Sequence, residues 1–285
     1  MSTNKNVVIT TDSPADLSAE LESRYDIHVI PLYVNLGEKT YRDGVDIRTP
    51  DIFKHYDETG ELPSTSAVPI GDYQDFFKSF VDEGKEVVHF SLSSCISSTH
   101  QNAKLAAQDI PGVYVIDSLH LSSGIALQVI KACEMRDEGK SAAEIADAAV
   151  DFYKNTCTSF VLEKLEYMKK GGRCSTVEAL GANILGIRPC IEMNEGKLGV
   201  VRKYRGKIFS VKEQYIKDEL NAYKDKIDLS RIFISSSSIS DEEEKELIAL
   251  IKSILPFKEV LRGRAGCTIA SHCGPGCMGI LFMTK

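Results

Sequence analysis

The first half of the chain alternates β-branched runs with segments of helical spacing. Residues 6–11, Asn-Val-Val-Ile-Thr-Thr, predict a strand. Asp12-Ser13-Pro14-Ala15-Asp16 then reads as a helix start. Ser13 would be the N-cap, Pro14 the first helical residue and Asp16 an acid in the first turn. Leu17, Leu21 and Tyr25 follow at helical spacing. Residues 27–36 and 39–41 read as extended, with a turn at Gly37-Glu38. Thr49-Pro50-Asp51 opens a short helix, and residues 70–83 place Tyr73, Phe76, Phe77 and Phe80 on one face. Strands are predicted over 86–92 and 113–116, and helices over 98–108, 122–138 and 141–156. This alternation implies βαβ units and a mostly parallel sheet with helices on both faces, a three-layer domain.

The second half has a different rhythm. Strands are predicted over 158–162, 231–236, 259–264, 269–271 and 279–283, with a hairpin of 189–193 and 197–204 around Asn194-Glu195-Gly196. Helices are predicted over 165–170, stopped by Gly171-Gly172, and over 210–226 and 241–255. The fold class is therefore α/β. A parallel-sheet domain of residues 1–158 precedes a smaller α+β domain of residues 159–285 with a mixed or antiparallel sheet.

Composition narrows the functions. With 43% hydrophobic and 26% charged residues the chain is an ordinary soluble globule, and no apolar run approaches the ~20 residues of a membrane span. The net charge of −7 argues against a general nucleic-acid binder. The opening Met1-Ser2-Thr3-Asn4-Lys5-Asn6 carries no apolar signal core, so a cytoplasmic protein is expected, with its 8 Cys as reduced thiols. Charge is uneven: residues 161–220 hold 12 Lys/Arg against 8 Asp/Glu, or +4, which leaves −11 for the rest. A solvated face and a partner site fit this equally well.

Open α/β sheets bind ligands beyond the carboxyl ends of their strands. The residues there are mostly hydroxyls: Asp12-Ser13, Ser93 to Thr99, Asp117-Ser118, and Ser64-Thr65-Ser66 before the Phe-rich helix. Any one of them is most simply a helix cap. Several at one sheet edge suit an anion or carboxylate.

Other signatures fail. Gly274-Pro275-Gly276-Cys277-Met278-Gly279 fits G-x-G-x-x-G, but only six residues follow, so it reads as a tight turn. His272, Cys273 and Cys277 lack the fourth ligand of a zinc site, so no metal is assigned. Ser97, His272 and either Asp12 or Asp117 allow a Ser–His–Asp hydrolase, although G-x-S-x-G is absent.

Taken in order, the stretches Thr11-Asp12-Ser13-Pro14-Ala15-Asp16-Leu17, Thr65-Ser66, Leu92 to Thr99, Val115-Ile116-Asp117-Ser118, Tyr167 to Arg173 and Ser271 to Gly276 make a specific pattern. It resembles the DegV family of bacterial fatty-acid-binding proteins over nearly the whole length. The resemblance implies a non-catalytic protein that holds one long-chain fatty acid, such as palmitate, stearate or oleate, in a buried apolar pocket. It needs no cofactor. The carboxylate would meet Thr65, Ser97 and His272, with Ser66, Ser98 and Gly276 as secondary contacts. The family implies presentation of the acid to a fatty acid kinase, which makes an acyl phosphate for phospholipid synthesis. Arg202, with Arg205 beside it, would contact the kinase or a membrane surface. Two departures stand out. Ser98 replaces the family's Gly, and Thr65-Ser66-Ala67-Val68-Pro69 puts its Pro one position later than usual. Two hydroxyls and an imidazole can satisfy a buried carboxylate without a fixed positive charge. The competing reading is a lipid-active hydrolase using Ser97 and His272. Cys273 and Cys277 lie outside the family pattern and receive no role.

Overall fold

The computed structural model describes residues 6–178 and 186–285. The sequence reading of the opening residues rests in part on positions 1–5, which lie outside that range. In chain order the strands of the first half are β1 (Val7–Asp12), β2 (Ile27–Ile30), β3 (Tyr33–Leu36), β4 (Lys39–Arg42), β5 (Ser64–Ser66), β6 (Glu86–Ser91) and β7 (Val113–Asp117). Those of the second half are β8 (Thr156–Val161), β9 (Ile187–Asn194), β10 (Lys197–Arg205), β11 (Ile227–Ser236), β12 (Glu259–Arg264) and β13 (Met278–Thr284).

The first sheet has the order β2-β1-β6-β7 and is parallel throughout. Every residue of β1 is buried, as expected for a parallel strand covered on both faces. Successive residues of β6 show the two covers. The His89 ring packs against Tyr73, Phe76 and Phe77 of the helix Ile70–Val81, while Phe90 stacks on Phe152. Chain direction across the sheet reverses between β1 and β6, where open sheets form their binding crevice.

The second sheet is mixed, in the order β10-β9-β8-β13-β11-β12, with only the β11–β12 pair parallel. The helix Ser123–Asp137 lies between the two sheets and touches β1 and β6 on one side and β8 and β13 on the other. It is therefore buried nearly all round, which its mix of small and apolar residues permits.

Three segments differ from the sequence reading. Residues 27–36 split at Pro31, which lacks an N–H for ladder pairing. The chain there leaves the parallel sheet and joins a small antiparallel one, β4-β3-β5. Residues 141–156 break into the helices Ala142–Ala149 and Phe152–Asn155 before β8 begins at Thr156.

The third difference involves both ends of the chain. Ser13–Ala15 is only a 3-10 turn, and Asp16 takes a left-handed conformation with φ 54°. The cap of the following helix Ala19–Tyr25 is Ser18, whose Oγ accepts from Leu21 N at 3.3 Å. Asp16 is turned away because its carboxylate accepts from Gly266 N at 2.8 Å. Asp43 accepts from Cys267 N at 2.8 Å and from Thr268 N at 3.1 Å. Two carboxylates thus occupy the free N–H groups of one first turn, and residues 267–273, expected to contain a strand, are the helix Cys267–Cys273. This helix packs on β3, β5 and the helix Thr49–Thr59, so the C-terminal segment completes the N-terminal half.

Candidate functional site

A cavity of about 350 Å³ lies between the two halves, within the size class of small-molecule sites. Leu32, Leu92, Ile96 and Leu121 line it from the first half, and Phe160, Met168, Leu198 and Leu281 from the second. Thr65 reaches it from β5, Ser97 from the loop after β6, and His272 from the helix Cys267–Cys273. Thr65 Oγ1 and His272 Nε2 are 2.8 Å apart. Ser97 Oγ lines the same cavity but donates to Thr99 Oγ1 at 2.8 Å. Ser66 and Ser98 also line it. Gly276 does not: it packs on the Glu163 carboxylate.

The Ser97 loop is anchored from below. Asp12, fully buried at the end of β1, accepts from Leu92 N at 2.8 Å with one oxygen. Its other oxygen faces Tyr73 OH at 2.5 Å and His89 Nε2 at 3.1 Å. Asp117 Oδ1 accepts from Ser94 N at 3.2 Å and Leu119 N at 3.1 Å. From the other half, Gly196 O at the hairpin tip accepts from Ser93 Oγ at 2.8 Å. Both acids of the hydrolase reading are thus loop anchors. Among the described residues His272 Nδ1 is buried without a hydrogen-bond partner, and neither Asp12 nor Asp117 is bonded to it.

Burial, and secondarily the nearby Arg173 cation, push the His272 pKa down to about 4. The imidazole is neutral at pH 7. Its Nδ1 packs against Gly171, where a Cβ would lie only 2.4 Å away. An orphaned N–H there would cost more than an orphaned lone pair. The hydrogen-bond network therefore assigns the proton to Nε2, which donates to Thr65 Oγ1. The Thr65 hydroxyl proton is then free for an acceptor in the cavity.

Arg173 itself lines the cavity. The sequence reading of the head-group site did not include this cation. The Lys169 to Arg173 stretch is legible as a charge cluster, but nothing in its spacing places Arg173 at the cavity. Ser235, Ser236, Ser237 and Thr268 were missed as well. The three serines sit at and just beyond the end of β11, the position that singled out the Ser93–Thr99 run. Cys273 and Cys277 are buried in the same wall, and Cys273 Sγ lies 3.8 Å from Ser237 Oγ.

Away from the cavity, Arg202 contacts the Glu219 carboxylate and lies 3.6 Å from that of Glu192. Cys190, Glu192 and Glu219 hold their ligand atoms within 4.8 Å of one another, but the Arg202 guanidinium already supplies the cation. Arg205 is exposed. Among the described residues no helix is long and apolar enough to cross a membrane.

The chain matches the DegV family model, a family described as uncharacterised, over residues 6–285. It is 32% identical to a DegV domain-containing protein of Clostridium acetobutylicum, with 99% of each chain covered. A DegV family protein of Thermus thermophilus whose structure is described by its fatty-acid binding superposes with a TM-score of 0.88 at 29% identity, covering 98% of this chain and 100% of the other. A stearic acid-binding protein of Eubacterium ventriosum superposes with a TM-score of 0.82 at 26% identity, covering 100% and 99%. The shared architecture, with its parallel sheet and its mixed sheet in a second half, spans essentially the whole chain, which belongs to the DegV family.

Proposed function

We propose that this protein binds one long-chain fatty acid in the cavity, with its carboxylate at Thr65, Ser97 and His272, and presents it to a fatty acid kinase in the cytoplasm. The observation that carries the reading is convergence: a hydroxyl from β5, a hydroxyl after β6 and a neutral imidazole from the C-terminal helix line one largely apolar cavity. Burial of a chain of ~15 carbons is favourable by roughly 12 kcal/mol before ordering costs, so the wall supplies the affinity. The clamp supplies hydroxyl donors that keep the carboxylate ionised. Arg173 at the cavity adds a cation for the same group. The fatty-acid ligands of the Thermus and Eubacterium relatives support the same ligand class here.

The protein acts as a carrier rather than a catalyst in this reading, which is supported by Ser97 Oγ donating to Thr99 Oγ1 rather than to His272. The kinase would make the acyl phosphate used for phospholipid synthesis, and Arg202 and Arg205 would face the kinase or a membrane surface. Mass spectrometry of an organic extract of the purified protein tests the ligand class. One equivalent of long-chain fatty acid is expected. An empty extract, with no uptake of added palmitate or oleate, refutes it. Thr65→Ala combined with Ser97→Ala is expected to weaken palmitate binding while the fold survives, and unchanged affinity would refute the head-group assignment. Phosphorylation of the bound acid by a fatty acid kinase, compared with free acid, tests the partner.

A further inference from the structure

Two buried carboxylates stand behind the head-group site without lining the cavity. Asp43, just past the end of β4, is 3% exposed, and Asp16 is 6% exposed. Asp43 Oδ1 accepts from Cys267 N at 2.8 Å and its Oδ2 from Thr268 N at 3.1 Å. Asp16 Oδ1 accepts from Gly266 N at 2.8 Å. These N–H groups open the helix Cys267–Cys273, which carries His272.

Asp43 is itself tied to the sheet that carries Thr65. Its N–H donates to Leu32 O at 2.8 Å. Ser13 Oγ accepts from Leu32 N at 3.1 Å and donates to Asp43 Oδ2 at 3.0 Å. Leu32 leads into β3, whose Val34 pairs with Tyr41 of β4 on one side and with Thr65 of β5 on the other. One small sheet therefore places both partners of the Thr65–His272 bond. It carries Thr65 directly, and it reaches His272 through Asp43 and a single helix.

The remaining contacts at the start of this helix leave its axial position to the carboxylates. Thr49 Oγ1 donates to Ala265 O at 2.7 Å, which holds the chain before the helix. Within the helix, Cys267 and Ala270 pack on Val34, Ile47 and Ile52, and such small apolar contacts are non-directional. Hydrogen bonds to the first N–H groups are directional and run along the axis. From Cys267 to His272 the rise is about 7.5 Å, so a shift of the first turn carries the imidazole with it. Thr65 Oγ1 and His272 Nε2 are 2.8 Å apart. A displacement of about 1 Å takes that pair out of hydrogen-bond range.

We propose that Asp43 is the positioning residue of the head-group site, setting the spacing of Thr65 and His272 on which carboxylate recognition depends. This role rests on the fatty-acid reading above and belongs to a residue that does not touch the ligand. By linkage, a bound carboxylate must favour the docked helix as much as the docked helix favours the carboxylate.

The test is calorimetric titration of the wild type and of Asp43→Asn with palmitate and with 1-hexadecanol, which offers the same chain without the carboxylate. The variant keeps the side-chain size and replaces one acceptor by a donor. Palmitate is expected to bind about tenfold more weakly to it, and 1-hexadecanol to change by less than about twofold. Unchanged palmitate affinity overturns the proposal, and an equal loss for both ligands assigns Asp43 to the fold alone. Amide hydrogen exchange of the wild type decides the matter even if the variant does not fold. Saturating palmitate is expected to slow exchange at Gly266, Cys267 and Thr268 about tenfold more than saturating 1-hexadecanol does. Equal protection by the two ligands overturns the proposal. Failure of the wild type to bind either ligand overturns the fatty-acid reading instead, in which the cavity wall supplies the affinity.

Discussion

Thr65 Oγ1 and His272 Nε2 are joined at 2.8 Å across 207 positions of sequence. Thr65 belongs to β5 and His272 to the last helix, so the bond ties the C-terminal segment to the first half at the cavity wall. Its geometry depends on Gly171, whose Cα faces His272 Nδ1.

Gly171→Ala is therefore a test of the clamp. The new Cβ would stand 2.4 Å from Nδ1, closer than any real contact, and the ring must turn. Loss of the Thr65 bond is expected to weaken fatty-acid binding by about tenfold, or about 1.4 kcal/mol. Calorimetric titration with palmitate measures this. Unchanged affinity would show that the imidazole position is not needed.

The depressed His272 pKa predicts how binding responds to pH. An imidazolium of ordinary pKa 6.5 would lose its attraction for the carboxylate as pH rises through 6.5. With the free-protein value pushed down to about 4, the ring is already neutral there. Palmitate affinity is expected to be flat from pH 6.5 to 8.5. A steady loss over that range would mean that a charged histidine holds the ligand.

Buried His120 makes the complementary case for stability. Burial pushes its pKa down to about 4, while the unfolded chain titrates near 6.5. Between those values the unfolded state binds more protons, so this contribution is complete above 6.5 and is lost as pH falls toward 4. His120→Gln is expected to flatten that part of the urea-unfolding profile. An unaltered slope would assign the pH dependence to other groups.

Asp12 carries three donors and is fully buried. Asp12→Asn replaces an acceptor oxygen by a donor facing Tyr73, His89 or Leu92 N. The cost is expected to be about 3 kcal/mol, that of a broken buried polar network, read from urea denaturation. Palmitate affinity should fall with it if the proposed role of Ser97 holds, since Leu92 N is the root of that loop. A loss below 1 kcal/mol would mean that the loop is held elsewhere.

These networks also explain what the sequence made legible. β1 announces itself by a continuous β-branched run, because burial on both faces leaves no polar alternation to blur it; β6 and the half-buried edge strand β7 are legible from their Val and aromatic content. Thr65, Ser97 and His272 were named from a resemblance, not from spacing, and the fold brings all three to one cavity. The helix that carries His272 was misread because Thr268 and Ile269 favour strands locally. Asp16 and Asp43 override that preference from more than 220 residues away. Arg173 and Thr268 were invisible for a related reason: their relation to the cavity is set by tertiary contacts that no local pattern encodes.

Arg202 separates two roles that a single substitution would confuse. The family resemblance casts it as a docking residue, yet its guanidinium lies on Glu219, whose side chain is 2% exposed. Burial raises the Glu219 pKa to about 7, with Arg202 opposing the rise. In the unfolded chain the group titrates near 4.5, so the folded state binds more protons between these values. Its contribution to stability is present below 4.5 and is lost as pH rises through 7. Without Arg202 the carboxylate is harder still to ionise. Arg202→Ala is expected to cost about 1 kcal/mol at pH 5.5, where Glu219 is protonated, and about 3 kcal/mol at pH 8.5, where an unpaired buried charge is forced. Arg205→Ala, on an exposed residue, should change neither value. The double variant Arg202→Ala with Glu219→Gln removes both charges and should recover most of the stability at pH 8.5. If the double variant still fails to deliver fatty acid to a kinase, Arg202 touches the partner directly. If delivery returns with stability, the arginine serves only the fold.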